Sequence, residues 1–168
     1  MDGVEIDREE WERALGEVGL GLAVTRGDGR LRSLGAGDAV PAGAAYIPPC
    51  PLELLGDVSF RRLHGVRYAC VAGAMANGIA SVELVEAMAR GGMLGIFGAA
   101  GLSVEAVERA VDRIQSSLGG KATYGFNLIH SPQEPATESA VVDLYLRRGV
   151  RLVEASAFLK LTPAVVRY

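Results

Sequence analysis

Hydrophobic and polar positions alternate in two different ways along the chain, and the change falls near residue 66. Beyond it, short apolar runs take turns with stretches whose apolar residues recur at helical spacing. Arg67 to Ala74 is an unbroken small-and-apolar run, the pattern of a strand buried on both faces. Ser81 caps a predicted helix through Met88 and Ala89 that stops at Gly91-Gly92. Met93 to Phe97 is the next apolar run, closed by Gly98. Ser103 caps a second helix, with Val104, Val107, Val111 and Ile114 on one side, ending at Gly119-Gly120. Thr123 to Ile129 predicts a third strand and Pro135 to Arg148 a third helix ending at Gly149. Val150 to Ala155 predicts a fourth strand, and Thr162-Pro163 opens one more helix. The repeat of roughly 25 to 30 residues is the length of a βα unit. Parallel strands with crossover helices follow, closed either as an open doubly wound sheet or as a (β/α)8 barrel. About four units make half a barrel. The pattern stops at Arg167-Tyr168 in or just after the fourth helix, as a truncated barrel would.

The first 65 residues read differently, as a small α+β lead-in or cap. Asp7 to Gly16 predicts a short helix, with Asp7 as N-cap and Glu10 three residues on. Leu20 to Thr25 and Arg30 to Leu34 flank Arg26-Gly27-Asp28-Gly29, and Asp-Gly is a strong hairpin turn. From Ala39 to Gly56 the chain is rich in proline and glycine, and Pro48-Pro49 with Pro51 forces extended backbone. The expected organisation is therefore a lead-in over 1–65 and an α/β half barrel over 66–168.

Composition changes this picture at four points. The 168 residues carry a net charge of -3, with basic side chains interleaved among acids, so the clustered basic face that nucleic acid demands is missing. The apolar run from Tyr68 to Ala80 is too short to span a bilayer. Cys50 and Cys70 do not have a metal-ligand spacing, so no metal site is expected, and the setting fits a reducing cytoplasm. The 22 glycines gather where strands meet loops, which means close backbone approach or many tight turns.

Function in either closure sits at the carboxyl ends of the strands. Those ends read Ala72 to Gly78, Phe97 to Gly101, Gly125 to His130 and Glu154 to Phe158. A rim of Gly and Ala lets backbone approach a large flat ligand, although small residues also serve plain strand-to-helix turns. No G-x-G-x-x-G, P-loop, nucleophile elbow or zinc spacing is present. Asn127 lies near the end of a buried strand, where an amide must be paired, either by a ligand or by a neighbouring loop. His130 at the strand mouth is a candidate proton donor or a satisfied loop histidine, while His64 reads as structural. Glu154 contacts a ligand or pairs inside the barrel, and Met75 packs beneath a ring system or in the core.

The segments Val66 to Ser81, Met93 to Gly101, Gly125 to Pro132 and Val153 to Phe158 resemble the PfaD-type trans-acting enoyl reductases of polyunsaturated-fatty-acid and polyketide synthases. Pro48 to Asp57 looks like that family's lead-in. The family is similar to nitronate monooxygenases (2-nitropropane dioxygenase-like) and to flavin enoyl reductases of bacterial fatty-acid synthesis. The resemblance implies an FMN-bearing TIM barrel reduced by NADPH or NADH, acting on enoyl thioesters carried by acyl carrier protein. By matching position, it implies Gly73, Ala74 and Met75 beside the flavin, Asn127 meeting its ring, Ala155 and Ser156 closing that wall, and His130 on the substrate side. The family's phosphate-holding loops and its usual histidine acid belong to the later half of the barrel. Completion would come from a second chain or a continuation. Without it, this chain is expected to hold FMN weakly or not at all, and a non-catalytic fragment or interaction module is the competing reading.

Overall fold

The computed structural model describes residues 8–25, 31–34, 37–120 and 122–168. It falls into two compact units that part between Leu55 and Gly56.

The first unit holds helix α1 (Arg8–Gly16) and strands β1 (Gly21–Val24), β2 (Leu31–Leu34) and β3 (Ala45–Ile47). β1 pairs antiparallel with β2, Gly21 opposite Leu34, which is the expected hairpin. Asp7 and the Arg26–Gly29 turn lie outside the described residues. β3, within the proline- and glycine-rich stretch, adds to the other side of β1 with Leu22 opposite Ile47. Ala14 and Leu22 are buried, with Trp11 and Val24 against them.

The second unit opens with α2 (Val58–His64), capped by Asp57, whose carboxylate accepts the Ser59 N–H at 2.6 Å. Four βα units follow: β4 (Val71–Ala72), α3 (Val82–Arg90), β5 (Leu94–Phe97), α4 (Val104–Leu118), β6 (Gly125–Ile129), α5 (Pro135–Arg147), β7 (Val153–Ser156) and α6 (Pro163–Arg167). The expected caps form. The hydroxyls of Ser81, Ser103 and Thr162 each accept a backbone N–H at 3.3 Å, and Gly119 ends α4 in the left-handed conformation.

The four strands are all parallel and lie in the order β4-β5-β6-β7. Sequential order without a reversal is that of a barrel wall, since a doubly wound sheet turns back at a switch point. On the helix side, Phe126 is fully buried and meets Phe97 at 5.4 Å, Tyr145 at 5.5 Å and Tyr124 at 6.1 Å between ring centres. Val85, Val107, Val111, Ile114 and Val142 from α3, α4 and α5 close this core.

Two strand expectations need correction. The first strand is not buried on both faces along Arg67 to Ala74; ladder pairing covers only Val71–Ala72, and Val71 is 46% exposed. It is an edge strand of the described sheet, so its other side and much of its inner face meet solvent. The fourth strand starts at Val153 rather than Val150, because Val150 is spent closing α5, its N–H donating to Tyr145 O at 2.9 Å.

Candidate functional site

Side chains alternate across a strand, and residues paired in parallel strands share a face. The register therefore puts Val71, Leu94, Ile96, Gly125, Asn127, Glu154 and Ser156 on one face, opposite the phenylalanine core. This is the inner face. A flat sheet would hold β4 and β7 three strand spacings, about 14 Å, apart. Yet the Glu154 carboxylate on β7 accepts the N–H of Ala74, just past β4, at 3.1 Å. The wall and the loop after β4 curl inward until its two outermost ends meet.

Asn127 stands in the middle of this curl and is 4% exposed. Its Nδ2 donates to Glu154 O at 3.1 Å and to Ser156 Oγ at 2.8 Å, so both amide hydrogens are committed to β7. Only Oδ1 is left for a ligand. Its backbone carbonyl accepts from the Tyr145 hydroxyl at 2.7 Å, and burial pushes that phenol far above its ordinary range. Gly73 is exposed, and a Cβ there would sit 3.3 Å from Glu154 Oε2. Gly73, Ala74, Asn127, Glu154 and Ser156 thus form one connected group. Ala155 pairs with buried Leu128, so its methyl group turns to the helix side and only its backbone borders the inner face. Met75 is 43% exposed, while its backbone lies over the end of β5.

The glycines after β5 serve the fold. A Cβ on Gly98 would fall 1.7 Å from Met75 O, and one on Gly101 would fall 2.2 Å from Asn77 Oδ1. The loop between β4 and α3 fills those notches, held by Gly78 N–H to Gly98 O and Asn77 N–H to Ala100 O. Beside it, a cleft of about 510 Å3 opens between the starts of α4 and α5, lined in part by Gly101, Ser103, Asn127, Ile129, Glu134 and Val141. A hollow of about 770 Å3 at the opposite ends of the strands, near His64, Tyr124 and Arg151, is remote from the connected group. His64 contributes its backbone carbonyl there, accepting from the Thr123 hydroxyl.

His130 points away from that group. Its N–H bonds Ser156 O at 2.9 Å, but its ring stacks on Phe158 at 5.2 Å and its Nδ1 lies 2.8 Å from Glu138 Oε2. Glu138, on α5, is 6% exposed and also accepts from the Ser131 N–H at 3.0 Å and the Thr162 hydroxyl at 2.9 Å. Burial would raise this carboxyl, but the hydrogen bonds from Ser131, His130 and Thr162 outweigh it and hold the group below its usual range. Sequence reasoning missed Glu138, because an acid in the first turn of a helix looks like solvated surface. Cys50 and Cys70 are free and exposed.

The inward bond of Glu154 has a direct check. Glu154→Ala leaves the Ala74 N–H without its acceptor, at a cost of about 1–3 kcal/mol, whereas Glu154→Gln keeps an oxygen in place. Amide hydrogen exchange at Ala74 is expected to quicken in the first variant and stay slow in the second. Equal rates in wild type and Glu154→Ala would show that the bond is not made.

No family model matches the chain. It is 49% identical over 131 residues to a polyunsaturated fatty acid synthase polypeptide of Thraustochytrium, covering 78% of this chain and 9% of the relative. It is 47% identical over 116 residues to the polyketide biosynthesis protein PksE of Bacillus subtilis, covering 69% of this chain and 15% of the relative. Among solved structures, the enoyl reductase domain of MlnA, from the macrolactin biosynthesis cluster of Bacillus amyloliquefaciens, superimposes with a TM-score of 0.67. The identity there is 38%, over 70% of this chain and 27% of that one. The similarity is to one stretch of the PfaD-type enoyl reductases. The chain spans between 9% and 15% of the length of these two curated relatives. FabK of Thermotoga maritima, with a TM-score of 0.51 at 20% identity over 60% of this chain and 32% of that one, shares the fold. Among the described residues, no helix is long and apolar enough to cross a membrane, and no group of three His, Cys, Asp or Glu side chains is placed to hold a metal.

Proposed function

We propose that this segment forms the first four strands of an FMN-dependent enoyl reductase barrel working in polyunsaturated fatty acid or polyketide biosynthesis. Its substrate would be an enoyl thioester presented in trans by an acyl carrier protein, and its reductant NADPH or NADH. One observation carries the reading: strand ends that are far apart in sequence converge on the inner face, Ala74 with Glu154 and Asn127 with Ser156. The 38% identity to a solved enoyl reductase domain supports it.

The residues fit the ring of a flavin. Exposed Gly73 and Met75 offer a rim with backbone within reach, and Asn127 Oδ1 is an acceptor for a ring N–H. None of Gly73, Met75, Asn127, Glu154 and Ser156 is cationic, so this set suits the ring and not the phosphate. When bound, the flavin supplies hydride transfer. The protein supplies placement and polarity. Gly73 to Met75 would border the ring, Asn127 would orient its edge, and Glu154 would keep the β4 end where the ring needs it. Ser156 would hold the Asn127 amide in its rotamer.

The polypeptide carrying this segment is expected to purify with bound flavin and to oxidise NADPH only when given an enoyl thioester on carrier protein. Turnover of a nitronate with oxygen, and none of the enoyl thioester, would replace the reading by nitronate oxidation. Residues 1–168 alone are expected to quench FMN fluorescence weakly, and sub-micromolar affinity would show that these strands also hold the phosphate.

A further inference from the structure

Among the residues that the register places on the inner face, Glu154 alone carries a charge. It pairs with Asn127 across the ladder, and its Oε2 accepts the Ala74 N–H at 3.1 Å. That donor is neutral, so the bond leaves the negative charge in place. Glu154 is half-buried and makes no ion pair among the described residues. Tying the end of β4 to β7 needs an oxygen acceptor and not an anion, since a glutamine would supply the same oxygen. Taking an unpaired anion partly out of water is unfavourable. The tether therefore explains the oxygen and leaves the charge without a purpose of its own. Oε2 also lies against exposed Gly73, where a Cβ would stand 3.3 Å from it. The anion borders the rim assigned above to the ring.

We propose that the charge of Glu154 lowers the reduction potential of a flavin held at this face and so makes it a stronger hydride donor. This rests on the flavin reading under the proposed function. A reduced nicotinamide gives up a hydride, two electrons with one proton, and becomes the oxidised nicotinamide. The ring gains one negative charge, which a fixed anion beside it opposes. The same anion favours the step that follows. The hydride leaves for the β-carbon of the enoyl thioester, the C=C π pair moves to the α-carbon, and a proton from solvent completes the saturated product. A unit charge about 10 Å away, at an effective dielectric near 20, moves such an equilibrium by roughly tenfold. None of Gly73, Met75, Asn127 and Ser156 brings a cation to cancel it.

Equilibration with a redox dye reads the flavin's midpoint potential in the polypeptide carrying this segment. Glu154→Gln keeps the acceptor for Ala74 and removes the charge. At a fixed poise it is expected to raise the ratio of reduced to oxidised flavin about tenfold, which is about 30 mV for a two-electron couple. Glu154→Asp keeps the charge on a shorter arm, and its ratio is expected to stay within about threefold of wild type. In stopped-flow, Glu154→Gln should quicken flavin reduction by NADPH and slow reoxidation by the enoyl thioester. An unchanged potential in flavin-loaded Glu154→Gln overturns the proposal. So does an equal shift in Glu154→Asp, which would trace to the lost tether, or a slowing of both half-reactions in Glu154→Gln. A wild-type polypeptide that takes up no flavin defeats the ring-binding reading itself, a failure seen in the absorbance spectrum before any potential is measured.

Discussion

Gly98→Ala is expected to destabilise the protein by about 3 kcal/mol or more, lowering the thermal midpoint by roughly 10 °C. The added methyl would stand 1.7 Å from Met75 O and 2.6 Å from Met75 C, both backbone atoms with no rotamer to escape into. Relief requires the β4–α3 loop to lift off β5. That breaks the bonds from Gly78 N–H to Gly98 O and from Gly98 N–H to Ala80 O. It also carries Gly73 to Met75 away from Glu154, so the proposed flavin site should lose affinity together with stability. Gly16→Ala is the matching control, because nothing lies within 4 Å of the methyl it would add. Equal thermal midpoints for the two variants would show that the loop does not rest on the end of β5.

Asn127→Asp tests the centre of the site with an almost isosteric change. The amide donates two hydrogen bonds, to a carbonyl and to a hydroxyl, from a position 4% exposed. A carboxylate there turns one donor into an anion facing the Glu154 carbonyl oxygen, with the Glu154 side chain on the same face. Leaving a buried charge without compensation costs about 3–5 kcal/mol. The loss, read from denaturant midpoints, should shrink as pH falls, because burial raises the new carboxyl's pKa and protonation removes the charge. A loss under about 1 kcal/mol, flat with pH, would show that Asn127 does not bridge β6 to β7.

Much of the second unit was legible because its local signals agree with one another. Ser81, Ser103 and Thr162 cap their helices since a hydroxyl before an apolar-periodic stretch satisfies N–H groups that nothing else reaches. The apolar runs at Met93–Phe97 and Thr123–Ile129 hold strands Leu94–Phe97 and Gly125–Ile129, two residues shorter at the start in the second case, because each is covered by helices on one side and by its neighbours across the curl. Arg67 to Ala74 looked the same by composition and behaved differently, since burial of an edge strand depends on what lies beyond it. The Gly98–Gly101 rim is the clearest ambiguity. Small residues permit close approach by anything, and here the occupant is the chain's own loop.

The candidate site divides along the same line. Asn127 announced itself as a polar residue inside an apolar run. Glu138 did not, because its burial comes from residues 130, 131 and 162, which are distant along the chain or lie on another element. Periodicity and capping chemistry act over a few residues, so the sequence by itself determined the order of the elements from β4 onward and their parallel pairing, but not β3 or α2, which it left inside a lead-in. The choice of sequential order over a reversed one, the curl that brings Glu154 to Ala74, and the pairing of His130 with Glu138 were settled only by tertiary structure. Those are contacts between segments up to 80 residues apart, and their energies depend on distance in space, which no local pattern encodes.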